Sequence, residues 1–390
     1  MSALRPAVSI KDVDWSLLTL MLMLLGIGLV MLASASISIA EESLGQPFYY
    51  LTQQLVAVAA GLIAAFIVIN TPTEYWEKLG SVMLLAAILL LLLVFVPGLG
   101  RTVNGATRWI SLGGINLQVS ELARLMVLMY FAGYVVRHKK DLGNSFMDMA
   151  KPMFIVFFVC GLLMVEPDFG ATFVMLTITL GVLFVAGAPL RYFIGLVALV
   201  VSALGALAVL EPYRFKRLIG FTDPWADPYG DSYQLTQSLI AIGSGEWFGA
   251  GLGNSVQNLF YLPEAHTDFV FAVIAEEFGV LGTVLLIGLF AALVWRAVGI
   301  ANEAAARDRF YQAYLAFGIA IWQGTQVFIN IGVNMGVLPT KGLTLPLVSY
   351  GRSSLIVTLA ALALLLRIDM ETRAGVSRAR VRRSNKRRQK

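Results

Sequence analysis

Residues 15–30 read Trp15-Ser-Leu-Leu-Thr-Leu-Met-Leu-Met-Leu-Leu-Gly-Ile-Gly-Leu-Val30, and no charged residue follows until Glu41. At about 1.5 Å per residue, roughly 20 such residues cross the ~30 Å of hydrocarbon in a bilayer, so this stretch predicts a membrane-spanning helix. It is too long for a signal peptide and lacks a small-residue cleavage site, so it is expected to stay as an anchor. Working outward, further apolar windows begin near Phe48, Leu79, Leu117, Pro152, Phe169, Leu190, Phe269, Tyr311 and Leu345, which makes ten. The 390 residues are 58% hydrophobic and 14% charged, with mean hydropathy +0.77. Soluble domains carry roughly 45–50% apolar and about 25% charged residues, so a water-soluble domain is excluded. The expected fold class is all-α: a polytopic membrane protein of about ten helices without internal repeats.

Basic residues set the orientation. With both termini inside, 21 of the 29 Lys and Arg residues fall on the cytoplasmic side, and Arg101, Arg108, Arg214, Lys216, Arg217 and Lys341 lie outside. The chain divides into a cytoplasmic segment (1–14), a ten-helix domain (15–370) with a large outer loop (211–267), and a basic tail (371–390). Residues 378–390 hold eight basic side chains and no acid, a composition suited to anionic lipid or to docking a partner. Nucleic acid is disfavoured because no aromatic residues interleave for base stacking.

The single cysteine, Cys160, excludes a disulfide scaffold, and two histidines, His138 and His266, exclude a His-rich metal site. Any metal must rest on carboxylates or substrate phosphates, which suits Mg²⁺ or Mn²⁺. The glycines from Gly243 to Gly253 match no nucleotide-binding fingerprint.

Polar features gather on the outer side. Phe221 to Asp231 is turn-rich, with two Asp-Pro pairs. Ser232 to Ile242 places Gln234, Gln237 and Ser238 on one helical face and predicts an interfacial amphipathic helix. Asp268 stands at the outer entrance of the eighth span, where an ionisable group is expensive and tends to be functional. It reads equally as a helix N-cap, a role that Thr267 could fill instead. His266 reads as a loop hydrogen-bonding residue or a proton carrier. Glu276 and Glu277, further along that span, must face protein or water, and Glu121 and Arg124 form an i, i+3 pair. Arg108, beside Trp109, and Lys341 are cations kept outside against the charge rule, either for an anionic ligand or as solvated loop residues.

Several strings are similar to the SEDS family (shape, elongation, division and sporulation). They are Gly28–Ser36, Asn104–Gly113, Glu166–Thr172, Tyr233–Leu239, Gly251–Gln257, Tyr261–Phe269, Leu338–Gly351 and Arg367–Arg373, which together span most of the chain. The segments Leu338-Pro-Thr-Lys-Gly-Leu-Thr344 and Arg367-Ile-Asp-Met-Glu-Thr-Arg373 favour the division branch over the elongation branch. The resemblance implies a peptidoglycan glycosyltransferase that polymerises lipid II at the outer face of the inner membrane, at the division septum. It implies Asp268 as the catalytic residue and a class B penicillin-binding transpeptidase as partner, with FtsQ, FtsL and FtsB as activators. Substrate contacts are expected from Arg108, Glu121, Gln234, Gln237, Asn254, Gln257, His266, Lys341, Ser349 and Tyr350. One departure is Arg352, where the family usually has glycine. In the chemistry expected here, Asp268 takes the proton of the acceptor hydroxyl during inverting attack, while Arg108, Lys341 or a divalent cation neutralises the pyrophosphate. A lipid II flippase is the rival reading, since ten helices with intramembrane charges also describe a transporter; a noncatalytic scaffold is a third.

Overall fold

The computed structural model describes residues 13–103, 106–112, 115–142, 145–210, 216, 220–230, 232–257 and 261–388, with side chains as far as Ala374 at the C-terminal end. The charges of the basic tail, Asn104, Gly105 and Gly113 of the third-to-fourth-span motif, and Glu211, Arg214 and Arg217 lie outside the described residues.

The helices are α1 (Trp15–Leu44), α2 (Tyr49–Asn70), α3 (Thr73–Lys78), α4 (Gly80–Leu93), α5 (Val119–Arg137), α6 (Phe146–Val165), α7 (Phe169–Val185), α8 (Leu190–Leu210), α9 (Tyr233–Ser244), α10 (Val270–Ala305), α11 (Phe310–Asn334) and α12 (Arg352–Arg388). Eight are long and apolar enough to cross a membrane, and the two shorter apolar helices are α4 and α7. These ten coincide with the ten predicted spans, and α3 extends α4 backwards across Leu79 alone. Two starts differ from the sequence reading. The fifth span begins at Phe146, capped by the Ser145 hydroxyl accepting from Met147 N. Pro152 therefore lies inside α6, where it removes one N–H from the ladder. The last span begins at Arg352, because Leu345–Tyr350 is folded into turns closed by the Ser349 hydroxyl accepting from Leu345 N at 2.8 Å.

The third-to-fourth-span connection, expected only as a polar outer stretch, is a three-stranded antiparallel sheet: β1 (Gly100–Val103), β2 (Ala106–Leu112) and β3 (Ile115–Gln118). Arg101 pairs with Trp109, and Ile110 pairs with Leu117.

Helix α5 and the Arg352–Ala374 part of α12 are the most enclosed spans, whereas α8 is the least enclosed of the eight long ones. At the end opposite the sheet, Asp14 caps α1 by accepting from Ser16 N and Leu17 N. The same carboxylate pairs with Arg296 and Arg373, and both arginines also reach Asp369. Glu371 accepts from Arg367 at 2.7 Å and from the Thr73 main-chain N–H and hydroxyl. These bonds join α1, α3, α10 and α12.

Candidate active site

Asp268 lies at the sheet end of the bundle, half-buried, on a turn in which Thr267 N and Phe269 N both donate to the Glu264 carbonyl. Helix α10 starts at Val270 with Phe269 at the cap position and no side-chain cap. Asp268 is therefore not the N-cap, and the Thr267 hydroxyl donates to Glu264 instead of capping. Two amides of α11 hold the Asp268 main chain: Asn330 Nδ2 and Asn334 Nδ2 donate to its carbonyl at 2.9 and 3.0 Å.

The segment between α11 and α12 closes over this carboxylate. A Cβ at Gly342 would come within 2.8 Å of Asp268 Oδ2, so the backbone beside Lys341 passes directly against the acid. The Lys341 ammonium stands 4.1 Å from the centre of the Phe169 ring. Asn330 donates to the Leu343 carbonyl, Gln326 to the Thr344 carbonyl, and Gln54 to the Ser349 carbonyl. Tyr350 N donates to the His266 carbonyl at 2.9 Å, and the Tyr50, His266 and Tyr350 rings form one cluster with centroids 4.5–5.7 Å apart. Burial lowers the His266 pKa, opposed by Glu264, so the neutral imidazole is favoured. Burial raises the Tyr350 pKa, with Arg352 acting in the opposite direction. Arg352 donates to Gln53 Oε1 at 3.0 Å.

On the other flank, Arg108 on β2 donates from Nε to the Glu166 carbonyl at 3.0 Å and from Nη2 to the Pro167 carbonyl at 2.6 Å. It thereby fixes the α6–α7 turn, which carries Phe169 beneath Lys341. Asp168 caps α7 by accepting from Ala171 N and also accepts from the Ser120 hydroxyl. The Glu166 carboxyl is buried, and neither oxygen has a protein hydrogen-bond partner. Burial first, and then nearby Asp168, push its pKa up to about 8 against the pull of Arg108. Glu121 does not meet Arg108. It forms a buried pair with Arg124 at 3.0 Å, and Arg124 also donates to Gln326 and lies over the Trp322 ring.

Asp268, His266, Lys341, Ser349 and Tyr350 are thus brought together, with Arg108 linked to them through the α6–α7 turn. Other candidates sit elsewhere. Gln234 and Gln237 are half-buried on α9, and Ser238 is buried and donates to the Asn334 carbonyl. The predicted amphipathic helix is real, but the face carrying Ser238 packs on protein and not along a membrane surface. Asn254 donates to the Ala250 carbonyl, and Gln257 N joins Val256 N and the Ser255 hydroxyl on the Glu276 carboxylate. This second assembly fills a break in α10 at Gly279 (φ 63°, ψ −161°), where Ala250 N and Gly251 N bond the carbonyls of Glu276 and Glu277. Residues missed from sequence are Tyr50, Glu166, Gln326, Asn330 and Asn334. The last three share one face of α11, and that amide periodicity in an apolar span was the available signal.

Comparison with known proteins gives a consistent picture. Residues 15–374 match the cell cycle protein family of FtsW, RodA and SpoVE. The chain is 52% identical to the probable peptidoglycan glycosyltransferase FtsW of Thioalkalivibrio sulfidiphilus over 86% of this chain and 84% of that one. It is also 52% identical to the protein of the same name from Alkalilimnicola ehrlichii, over 95% and 92% of the two chains. Among solved structures it is similar to a chain of a peptidoglycan synthase complex that coordinates polymerization and crosslinking (TM-score 0.74, 34% identity, 92% of this chain and 98% of that one). It is likewise similar to the rod shape determining protein RodA of Thermus thermophilus (TM-score 0.67, 34% identity, 92% and 96%).

Proposed function

The chain belongs to the FtsW, RodA and SpoVE family of cell cycle proteins, and from that premise we propose that it is a peptidoglycan glycosyltransferase that polymerises lipid II during cell division. The observation that carries this reading is the placement of Asp268. A half-buried carboxylate stands at one end of the bundle, against the Lys341–Gly342 backbone, with its main chain fixed by two amides. Transport would call for essential charges spread through the membrane, whereas polymerisation needs one base at its boundary.

In the proposed reaction the acceptor hydroxyl attacks the donor anomeric carbon with inversion, the bond to the undecaprenyl pyrophosphate breaks, and Asp268 takes the hydroxyl proton. The pyrophosphate leaves as an anion, so its charge needs neutralising. Lys341, next in sequence to the Gly342 backbone that lies against the acid, would supply the cation, and Arg108 supports the site through the α6–α7 turn.

A divalent cation belongs to the same proposal. No cluster of three or more His, Cys, Asp or Glu fit to hold a metal occurs among the described residues. An ion that keeps its waters and uses substrate phosphate, however, needs only one or two carboxylates. Glu166, with two buried oxygens lacking protein partners, fits that need, with Asp168 two residues on. Such an ion would add charge neutralisation at the pyrophosphate.

The partners proposed are a class B penicillin-binding transpeptidase and the FtsQ, FtsL and FtsB activators. The location proposed is the septal inner membrane, with the Asp268 end facing the periplasm, an orientation that the distribution of Lys and Arg supports. Purified chain and transpeptidase, incubated with labelled lipid II, should yield glycan strands resolved as a ladder. Translocation of lipid II in vesicles without strand formation would replace this reading by the flippase.

A further inference from the structure

In a regular α-helix the carbonyl of residue 268 would accept from the N–H of residue 272. That bond is absent at the start of α10. Ala272 N instead donates to the Phe269 carbonyl at 3.0 Å and to Asn334 Oδ1 at 3.2 Å, while Asn334 Nδ2 donates to the Asp268 carbonyl at 3.0 Å. One carboxamide, from a different helix, thus bridges the two groups that a helical turn would join directly. Insertion of a side chain into the ladder is a recognised way to open a turn.

Asn330 completes the arrangement. Its Nδ2 donates to the Asp268 carbonyl at 2.9 Å and to the Leu343 carbonyl at 2.6 Å, so one amide ties the turn carrying the acid to the segment carrying Lys341 and Gly342. Asn334 Nδ2 uses its second hydrogen on the Asn330 carbonyl at 2.8 Å. Each amide has two N–H donors, and all four are spent within this network. Both residues are buried, Asn330 at 1% and Asn334 at 0% exposure, within a membrane-spanning helix that also buries Gln312, Gln323 and Gln326. Buried amides are costly to place there unless bonded; here all four donors and Asn334 Oδ1 are bonded, and Asn330 Oδ1 alone of the pair's polar side-chain atoms has no partner. Folding α11 alone does not require them, since leucine would serve a helix better.

We propose that Asn330 and Asn334 are positioning residues that hold Asp268 out of the first turn of α10 and lock its distance to the Lys341–Gly342 segment. The proposal rests on the reading of Asp268 as the base. The amides act on the main chain, so they would set where the carboxylate stands relative to the acceptor hydroxyl without touching the reacting atoms. Misplacement of a catalytic group by about 1 Å can cost on the order of 10²-fold in rate.

The test uses the full chain with its transpeptidase partner and the variants Asn334→Leu and Asn330→Ser, the second leaving the inserted amide in place. Turnover should fall at least about tenfold while KM for lipid II stays within about twofold, because an interaction made through the base acts on the chemical step. In an Asp268→Asn background, Asn334→Leu should cause no further loss, since its effect passes through the carboxylate. Hydrogen exchange supplies a readout independent of activity: peptides covering residues 262–272 should exchange faster in Asn334→Leu than in the parent protein. Additive losses in the double variant, a change confined to KM, or unchanged exchange would each overturn the proposal. A wild-type complex that makes no glycan although the exchange result holds would refute the base reading and reduce the two amides to a structural tether, which also overturns the positioning role.

Discussion

Gly342 lies so close to Asp268 that any side chain at position 342 would meet the carboxylate before anything else, with Oδ2 at 2.8 Å from the Cβ position and Cγ at 3.6 Å. The crowded atoms are the end of a rotatable side chain and not backbone, so the acid can turn away without unfolding the protein. Gly342→Ala should therefore lower glycan synthesis about tenfold or more by displacing the base, with a melting temperature close to the parent. Equal activity and a lowered melting temperature would show that the contact matters only to packing.

Arg108 and Lys341 should behave differently when each is replaced by glutamine. Arg108 bonds two main-chain carbonyls of the α6–α7 turn, and hydrogen bonds from a charged donor are worth about 1.5–3 kcal/mol each before discounting for its partial exposure. Arg108→Gln should lose both thermal stability and activity. Lys341 meets the Phe169 ring and precedes the Gly342 that lies against the acid, and Lys341→Gln should lower kcat and kcat/KM together, with little change in melting temperature, if it stabilises the departing pyrophosphate. Melting curves and steady-state kinetics on both variants separate the two roles.

The architecture was legible because hydrophobic length is a local property: ten apolar windows became ten helices, each found without knowledge of its neighbours. The last span was placed too early because Leu345, Leu347 and Val348 are buried, yet they are buried as turns, held by Ser349 and Gln54. Apolar composition cannot separate those states. The sheet was missed although Asn104-Gly105 and Gly113-Gly114 are the dipeptides that favour two-residue hairpins. Asp268 drew attention by its charge at a span entrance, and its role as base came from the family resemblance. Asn330 and Asn334 were missed because neutral amides give no charge signal, and Glu166 because a carboxyl beside proline reads as a loop residue until its burial is known.

Glu166→Gln tests the cation site by binding and not by turnover. Manganese titration of the detergent-solubilised protein, followed by electron paramagnetic resonance, should show saturable binding in the parent protein that is weakened at least tenfold in Glu166→Gln and retained in Asp268→Asn. Retention in Glu166→Gln would move the ion elsewhere.

Acid should destabilise the protein through His266. Burial holds its folded pKa below the usual value of 6.5, so as pH falls from above 6.5 the unfolded chain binds its proton first. Stability present above pH 6.5 is therefore lost as pH falls towards the folded pKa. His266→Phe keeps an aromatic ring against Tyr50 and Tyr350 and should show a smaller drop in melting temperature between pH 7.5 and pH 5.5. An identical drop in both proteins would assign the acid sensitivity to other groups.

The most direct measurement is strand synthesis by Asp268→Asn. The amide keeps the size of the side chain and leaves the main-chain carbonyl available to Asn330 and Asn334, so the variant should fold, melt with the parent protein and bind the transpeptidase. Loss of a general base costs about 10²–10⁴ in rate. The purified variant with its partner should therefore convert labelled lipid II to glycan strands at least a hundredfold more slowly than the parent complex. Strand synthesis at the parental rate by a folded, partner-bound Asp268→Asn protein would contradict the assignment of Asp268 as the base.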